Sequence, residues 1–175
     1  MLKIIGLVVV LAGAGVLALA AMKPDVFRVQ RVASIKAPPD KVFALINDFK
    51  KWQGWSPWEK KDPAMKRSFG AATAGKGASY AWEGNKDVGQ GSMEITSSVP
   101  SSAIGLKLDF RKPFEAHNRV EFTLDAKGET TQVTWTMTGD TPYLAKIIHV
   151  FIDMDRMVGK DFEAGLANLK SIAEK

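Results

Sequence analysis

Cysteine is absent from the 175 residues, which rules out disulfides, thiol catalysis and thiolate-held metals. Histidine is scarce: His117 and His149 are the two copies, and they fall in different predicted elements. No H-E-x-x-H, H-x-x-x-H or D-x-D-x-D spacing occurs, so neither a metal nor another cofactor is expected. No serine stands in a G-x-S-x-G elbow, and no nucleophile and base are paired by spacing. The Gly75-Lys76-Gly77 and Gly89-Gln90-Gly91 triplets precede strand-like stretches, so they read as hairpin turns, not as phosphate loops, which need a helix N-terminus behind them. Charge of one sign is never concentrated either. The formal charge is +5, but no basic run with interleaved aromatics is present, so nucleic acid is not an expected partner. The same scattered excess suits anionic lipid headgroups. Without a catalytic constellation, the reading leans away from an enzyme.

What the chain does contain begins with residues 4–22, an uncharged apolar run preceded by Lys3. About 20 such residues cross a bilayer core, so residues 1–23 are read as a membrane anchor. A cleaved signal peptide is the competing reading: Ala18-Leu19-Ala20 would serve as its cleavage site, but the apolar run is longer than a signal's usual core of about 7–15 residues. Lys3 precedes the span, and Lys23, Arg28 and Arg31 follow it, so the positive-inside count does not decide the side. The expectation is a single pass through a bacterial inner membrane with the domain on the periplasmic side. Residues 24–175 then form one domain, with 46% hydrophobic and 25% charged residues over the chain as in folded globular proteins. Oligomeric state is not legible.

Residues 26–37 alternate as a half-buried strand until Pro38-Pro39, which opens a short helix carrying Val42, Leu45, Ile46 and Phe49 on one face. Six further strands are predicted over 65–70, 77–84, 90–99, 102–112, 116–126 and 130–138. Their connections are too short for parallel crossovers, so the pairing is antiparallel. Residues 142–174 read as one long helix with Leu144, Ile148, Phe151, Val158, Phe162, Leu166, Leu169 and Ala173 on a single face. Thr141 is positioned as its cap, and Pro142 as its first residue. The order is α+β: an antiparallel sheet of six to seven strands whose one apolar face wraps the C-terminal helix.

Several stretches make this pattern familiar: Ala37-Pro38-Pro39-Asp40-Lys41-Val42-Phe43 opening the first helix, Asn47-Asp48-Phe49 through Trp52, Trp55, Ser56, Pro57 and Trp58, and Gly165-Leu166-Ala167-Asn168-Leu169 near the end. Over residues 27–173 the chain resembles the SRPBCC superfamily, and within it the polyketide cyclase/dehydrase-like proteins of the START-related helix-grip fold. The resemblance implies a curved sheet around a long C-terminal helix with an apolar ligand between them. Members include lipid carriers, aromatic cyclases and chaperone-ATPase activators, so it implies a pocket without fixing a reaction.

The leading expectation is a membrane-tethered module that binds a lipid or other hydrophobic small molecule. The alternatives are a cyclase or dehydratase acting on an apolar or aromatic substrate, and a protein-interaction domain with a filled core. Expected pocket residues on the sheet are Tyr80, Trp82, Met93, Phe110, Phe122, Trp135 and Met137. On the helix they are Phe151, Asp155 and Val158. Asp155 breaks the apolar stripe. A carboxylate facing an apolar interior must be paired, hydrogen-bonded or protonated, so Asp155 is either a ligand anchor, handling a proton if the domain is an enzyme, or a residue kept wet by a helix bend or an exposed helix end, or the partner of an internal tyrosine or arginine. The entrance, facing the membrane, is expected from Trp52, Trp55 and Trp58 together with Ile147, Val150, Met154 and Met157, which widen the apolar arc of the helix's first half.

Overall fold

The computed structural model describes residues 2–175. Helix α1 (Leu2–Ala21) takes up nearly all of the apolar N-terminal run. Its Lys3–Ala21 stretch is long and apolar enough to cross a membrane, and almost none of it is covered by the rest of the protein. Strand β1 (Val26–Ile35) follows, and α2 (Pro39–Ile46) starts on the proline predicted to open it. A single 3-10 turn (Phe49–Lys51) leads into two short helices, α3 (Trp52–Trp55) and α4 (Pro57–Lys61). Six more strands complete the sheet: β2 (Lys66–Phe69), β3 (Ser79–Glu83), β4 (Gln90–Val99), β5 (Ala103–Lys112), β6 (Ala116–Lys127) and β7 (Thr130–Asp140).

All seven strands pair antiparallel in the order β1-β7-β6-β5-β4-β3-β2, as the short connections require. The register brings the predicted apolar positions opposite one another, with Phe122 facing Trp135 and Val120 facing Met137 across β6 and β7. Leu106 likewise faces Val120, and Tyr80 faces Met93. Irregularities between Gln90 and Gly91 and between Ile95 and Ser97 interrupt the β4–β5 ladder, and such bulges bend a strand.

The C-terminal helix departs from expectation. It is two helices, α5 (Tyr143–Phe151) and α6 (Met154–Ala173), separated by extended backbone at Ile152 and Asp153. The Asp153 carboxylate accepts from the Arg156 amide at 3.0 Å, so Asp153 caps a new helix instead of continuing the old one. Nor does Thr141 cap α5. Pro142 holds the cap position, and the buried Thr141 hydroxyl has no partner.

Only α6 lies in the grip. Phe162, Leu166, Leu169 and Ala173 are buried along it, and its end is tied to β1 by Lys170 Nζ on the Ser34 carbonyl (2.7 Å) and by the Lys36 amide on Glu174 (2.7 Å). Gly165 permits the close approach: a Cβ there would stand 2.8 Å from the Trp135 ring and 3.1 Å from Pro57. Helix α5 instead packs on the C-terminal turns of α1, where the Tyr143 hydroxyl donates to the Leu17 carbonyl at 3.0 Å and Ala20 is fully buried.

Candidate functional site

The palm between sheet and α6 is filled by the protein's own rings. Trp135 and Phe162 stack with centroids 3.9 Å apart and planes 8° from parallel. Phe122 lies 4.8 Å from Trp135, and Trp55 5.6 Å from it. The chain of aromatic contacts runs on through Trp52, Phe49, Tyr80 and Trp82 to Phe110. Of the residues expected to line a pocket, Tyr80, Trp82, Phe122, Trp135 and Met137 therefore meet as packed core, with Met93, Phe110 and Val158 half-buried at its margin.

Two of the expected entrance tryptophans must be moved inside. Trp55 is 0% and Trp52 4% exposed, and their indole nitrogens donate to the Leu45 and Ile46 carbonyls at 3.1 and 2.8 Å. Those carbonyls belong to the last turn of α2, which has no intrahelical partners to offer them. Trp58 is half-buried, edge-on to both Trp135 and Phe162. The spacing of three that suggested a surface belt is produced by two short helices pressing one face into the palm.

Phe151 and Asp155 lie outside the palm. Phe151 is 73% exposed. Asp155 belongs to the exposed start of α6, where Arg31 of β1 holds it: Nη1 and Nη2 donate to its carboxylate at 2.9 and 3.1 Å, and Nη2 also reaches its backbone carbonyl at 3.0 Å. Nε of the same guanidinium donates to Glu163 at 2.6 Å. The arginine thus spans two turns of α6, and it can lie flat there because Gly159, midway between the carboxylates, has no side chain. A Cβ on Gly159 would overlap the guanidinium. Gly159→Ala is expected to expel Arg31 and forfeit its two solvent-reached ion pairs, each of which contributes little, a loss largely offset by about 1 kcal/mol of helix propensity; thermal unfolding monitored by circular dichroism, with a near-neutral change expected, checks it.

Hydrogen bonds from Arg31 hold the Asp155 carboxyl below its ordinary pKa of 3.8, against the opposing effect of burial and with help from the Arg31 charge. A carboxylate kept ionised in this way is poorly suited to donating a proton. The stability it contributes is present above pH 3.8 and lost as pH falls through its lower folded value. Asp155→Asn is therefore expected to lose the pair's contribution at neutral pH, about 0–1 kcal/mol for a solvent-reached pair, and to change little in acid, so that the acid limb of a stability-versus-pH profile flattens; an unchanged acid limb would contradict the pairing.

A second polar cluster, missed in the sequence, ties the tryptophan segment to the sheet edge. Glu59 of α4 has a side chain only 7% exposed and accepts from Arg67 Nε at 2.8 Å and Nη2 at 2.5 Å. The Tyr80 hydroxyl donates to its other oxygen at 3.2 Å. Burial, followed by the Glu59 charge and hydrogen bond, pushes the Tyr80 phenol well above its ordinary pKa. The cluster's three members come from three elements, which is why no local spacing announced it.

The most open concavity adjoins the helix break. It measures about 550 Å³ and is lined by Phe151, Ile152 and Met157 with Lys61, Asp153, Arg156, Lys160 and Asp161. None of the palm residues lines it. Met157 is 51% exposed, whereas Ile147, Val150 and Met154, also expected at the entrance, are half-buried. Lys61 is paired with Asp161 at 2.7 Å, leaving Arg156 and Lys160 without an ion pair among the described residues. A smaller depression of about 230 Å³, bordered by Lys66, Glu83, Gln90 and Arg111, lies over β2–β5. No cluster of side chains able to hold a metal occurs among the described residues.

Comparison with solved structures matches this architecture. Protein CV1439 from Chromobacterium violaceum superposes with a TM-score of 0.61 at 16% identity, over 87% of this chain and 99% of that one. The Aha1 dimer from Colwellia psychrerythraea gives 0.61 at 15% identity, over 85% and 96%. Ginseng major latex-like protein 151 from Panax ginseng gives 0.60 at 13% identity, over 87% and 100%. At such identities the likeness is one of fold. Among curated proteins none matches by sequence. The family model described as polyketide cyclase / dehydrase and lipid transport matches residues 26–174, that is, every element from β1 to the end of α6, and the chain belongs to that family within the SRPBCC superfamily.

Proposed function

We propose that this protein is a membrane-tethered module that binds a lipid or another hydrophobic small molecule at the concavity beside the α5–α6 break. Family and fold support a hydrophobic-ligand-binding or cyclase-like domain. The observation that carries the location is the meeting of Phe151, Ile152 and Met157 with unpaired Arg156 and Lys160 in one open cleft, a lining suited to an amphiphile with an acidic head. Its volume falls within the range of about 300–1,000 Å³ typical of small-molecule sites. The palm is the less favourable seat, because a ligand there would have to part the Trp135–Phe162 stack. The tether is α1, and its packing against α5 favours retention over cleavage after Ala20, since cleavage would strip α5 of its neighbour.

The test is mass spectrometry of small molecules carried by the full chain purified from membranes. An apolar or amphiphilic species enriched over an unrelated single-pass protein, and reduced severalfold by Met157→Glu, is the expected result. A chain that carries nothing beyond the control would instead favour the second reading, an interaction domain without a ligand, which the filled palm supports.

A further inference from the structure

Helix α5 is built inside out. Its one lysine, Lys146, is 8% exposed, while Leu144 is 72% and Phe151 73% exposed, with Ile148 and Ile152 exposed beside them. A helix packed on a domain in water does the reverse, burying its apolar stripe and leaving lysine outside. Lys146 is accommodated because its Nζ reaches the Asp25 carboxylate at 2.6 Å, and this cation holds the Asp25 carboxyl below its ordinary range. The pairing turns the charge toward the start of β1 and leaves the outward face almost wholly hydrocarbon.

The position of α5 explains its polarity. Tyr143 donates to the carbonyl of Leu17, which lies inside the apolar Lys3–Ala21 stretch. A helix hydrogen-bonded at that level stands beside the last turns of α1, not out in solvent above it. On α1, which packs against it, Leu17 and Leu19 are exposed as well. Beyond the break, Arg156 and Lys160 supply positive charge without an ion pair among the described residues, and tyrosine at the start of α5 suits the headgroup level.

We propose that α5 is a second membrane element, lying in the boundary between headgroups and acyl chains of the bilayer that α1 enters, with Leu144, Ile148, Phe151 and Ile152 turned into lipid. The occupant of this face is a bilayer containing anionic lipid. The proposal rests on α1 being a retained anchor. Its consequence is that the domain is held down at two points, with the α5–α6 cleft at headgroup height, instead of swinging on a flexible tether.

Because the chain has no cysteine, single labels can be placed without altering native thiols. Leu11→Cys, Leu144→Cys, Phe151→Cys and Asp125→Cys, each carrying an environment-sensitive fluorophore, are reconstituted as full chains in phosphatidylcholine–phosphatidylglycerol vesicles. The expected result is that labels at 11, 144 and 151 are quenched severalfold more by lipid-attached nitroxide than by aqueous acrylamide, and the sheet label at 125 the reverse. Labels at 144 and 151 open to acrylamide while 11 is quenched from lipid would overturn the α5 proposal and leave the anchor standing. Acrylamide quenching at 11 as well removes both. Labels at 144 and 151 shielded from both quenchers mean a second copy or a protein partner covers the face, which also overturns it.

Discussion

Phe162→Ala is expected to lower the unfolding free energy by about 3–5 kcal/mol, the range for truncating a fully buried aromatic. Phe162 is 1% exposed and lies flat on Trp135 at 3.9 Å, with Trp58 edge-on at 6.4 Å. Gly165 keeps the backbone of α6 close to Trp135, so the neighbouring rings cannot close in without dragging the helix, and the void persists. Urea unfolding followed by tryptophan fluorescence measures the loss. Trp135→Phe is the control. It retains a stacked ring and removes an indole N–H that has no partner in the core, so its cost is expected to be clearly smaller. Near-equal costs would mean that the stack is not what holds α6 in the palm.

Glu59→Ala is expected to cost a similar amount, about 3–5 kcal/mol, because removing one partner of a buried ion pair strands the other. Here it strands the Arg67 guanidinium, whose side chain is 20% exposed, and leaves the Tyr80 hydroxyl without its acceptor. Arg67→Met, which removes the complementary charge, would leave Glu59 stranded in turn, whereas Glu59→Ala combined with Arg67→Met is expected to recover much of the loss. Equilibrium unfolding of the four forms supplies the coupling. The same cluster governs behaviour in base. Folding keeps the Tyr80 phenol neutral above its ordinary pKa of 10.0, so the associated stability is intact below pH 10.0 and is lost as pH rises beyond it. Tyr80→Phe is expected to remove that alkaline decline.

These two sites show how differently local and non-local information entered the sequence. Strand alternation such as Ile104, Leu106, Leu108 and Val120, Phe122, Leu124 has a period that depends only on the pleat, and these residues all face inward, with Ile104 opposite Phe122 and Leu106 opposite Val120. Proline at the start of α2 and the short connections between strands are local constraints too. The aromatic residues of the palm were therefore identifiable as inward-facing, but whether they surround a space or fill it depends on how closely α6 approaches. That distance is fixed by Gly165 against Trp135 and by Arg31 lying over Gly159, contacts that join different elements and, in the second case, residues more than a hundred positions apart.

Asp155 was legible as an anomaly in an apolar stripe, and arginine was among the partners considered for it. Its position outside the palm agrees with the helix bend or exposed end that was the alternative to a pocket floor, but the place of the break was not legible, because an apolar stripe at helical spacing continues across Ile152 and Asp153. The local signal was present in Asp153, an N-cap residue followed by Asp155 in a first turn, where carboxylates are favoured. Once the helix breaks, α5 is free to rotate about its own axis relative to α6, and Leu144, Ile148 and Phe151 no longer share a face with Phe162.

The sequence by itself determined the antiparallel α+β architecture, the apolar N-terminal helix and the absence of thiol chemistry, since each follows from composition or from short-range periodicity. Tertiary structure alone decided that the palm is closed by stacked aromatics, that Glu59, Arg67 and Tyr80 form one cluster, and that α5 leaves the grip to lie against α1. The physical reason is common to all three: each outcome depends on the approach of separate elements, which packing and charge pairing set and which no local pattern encodes.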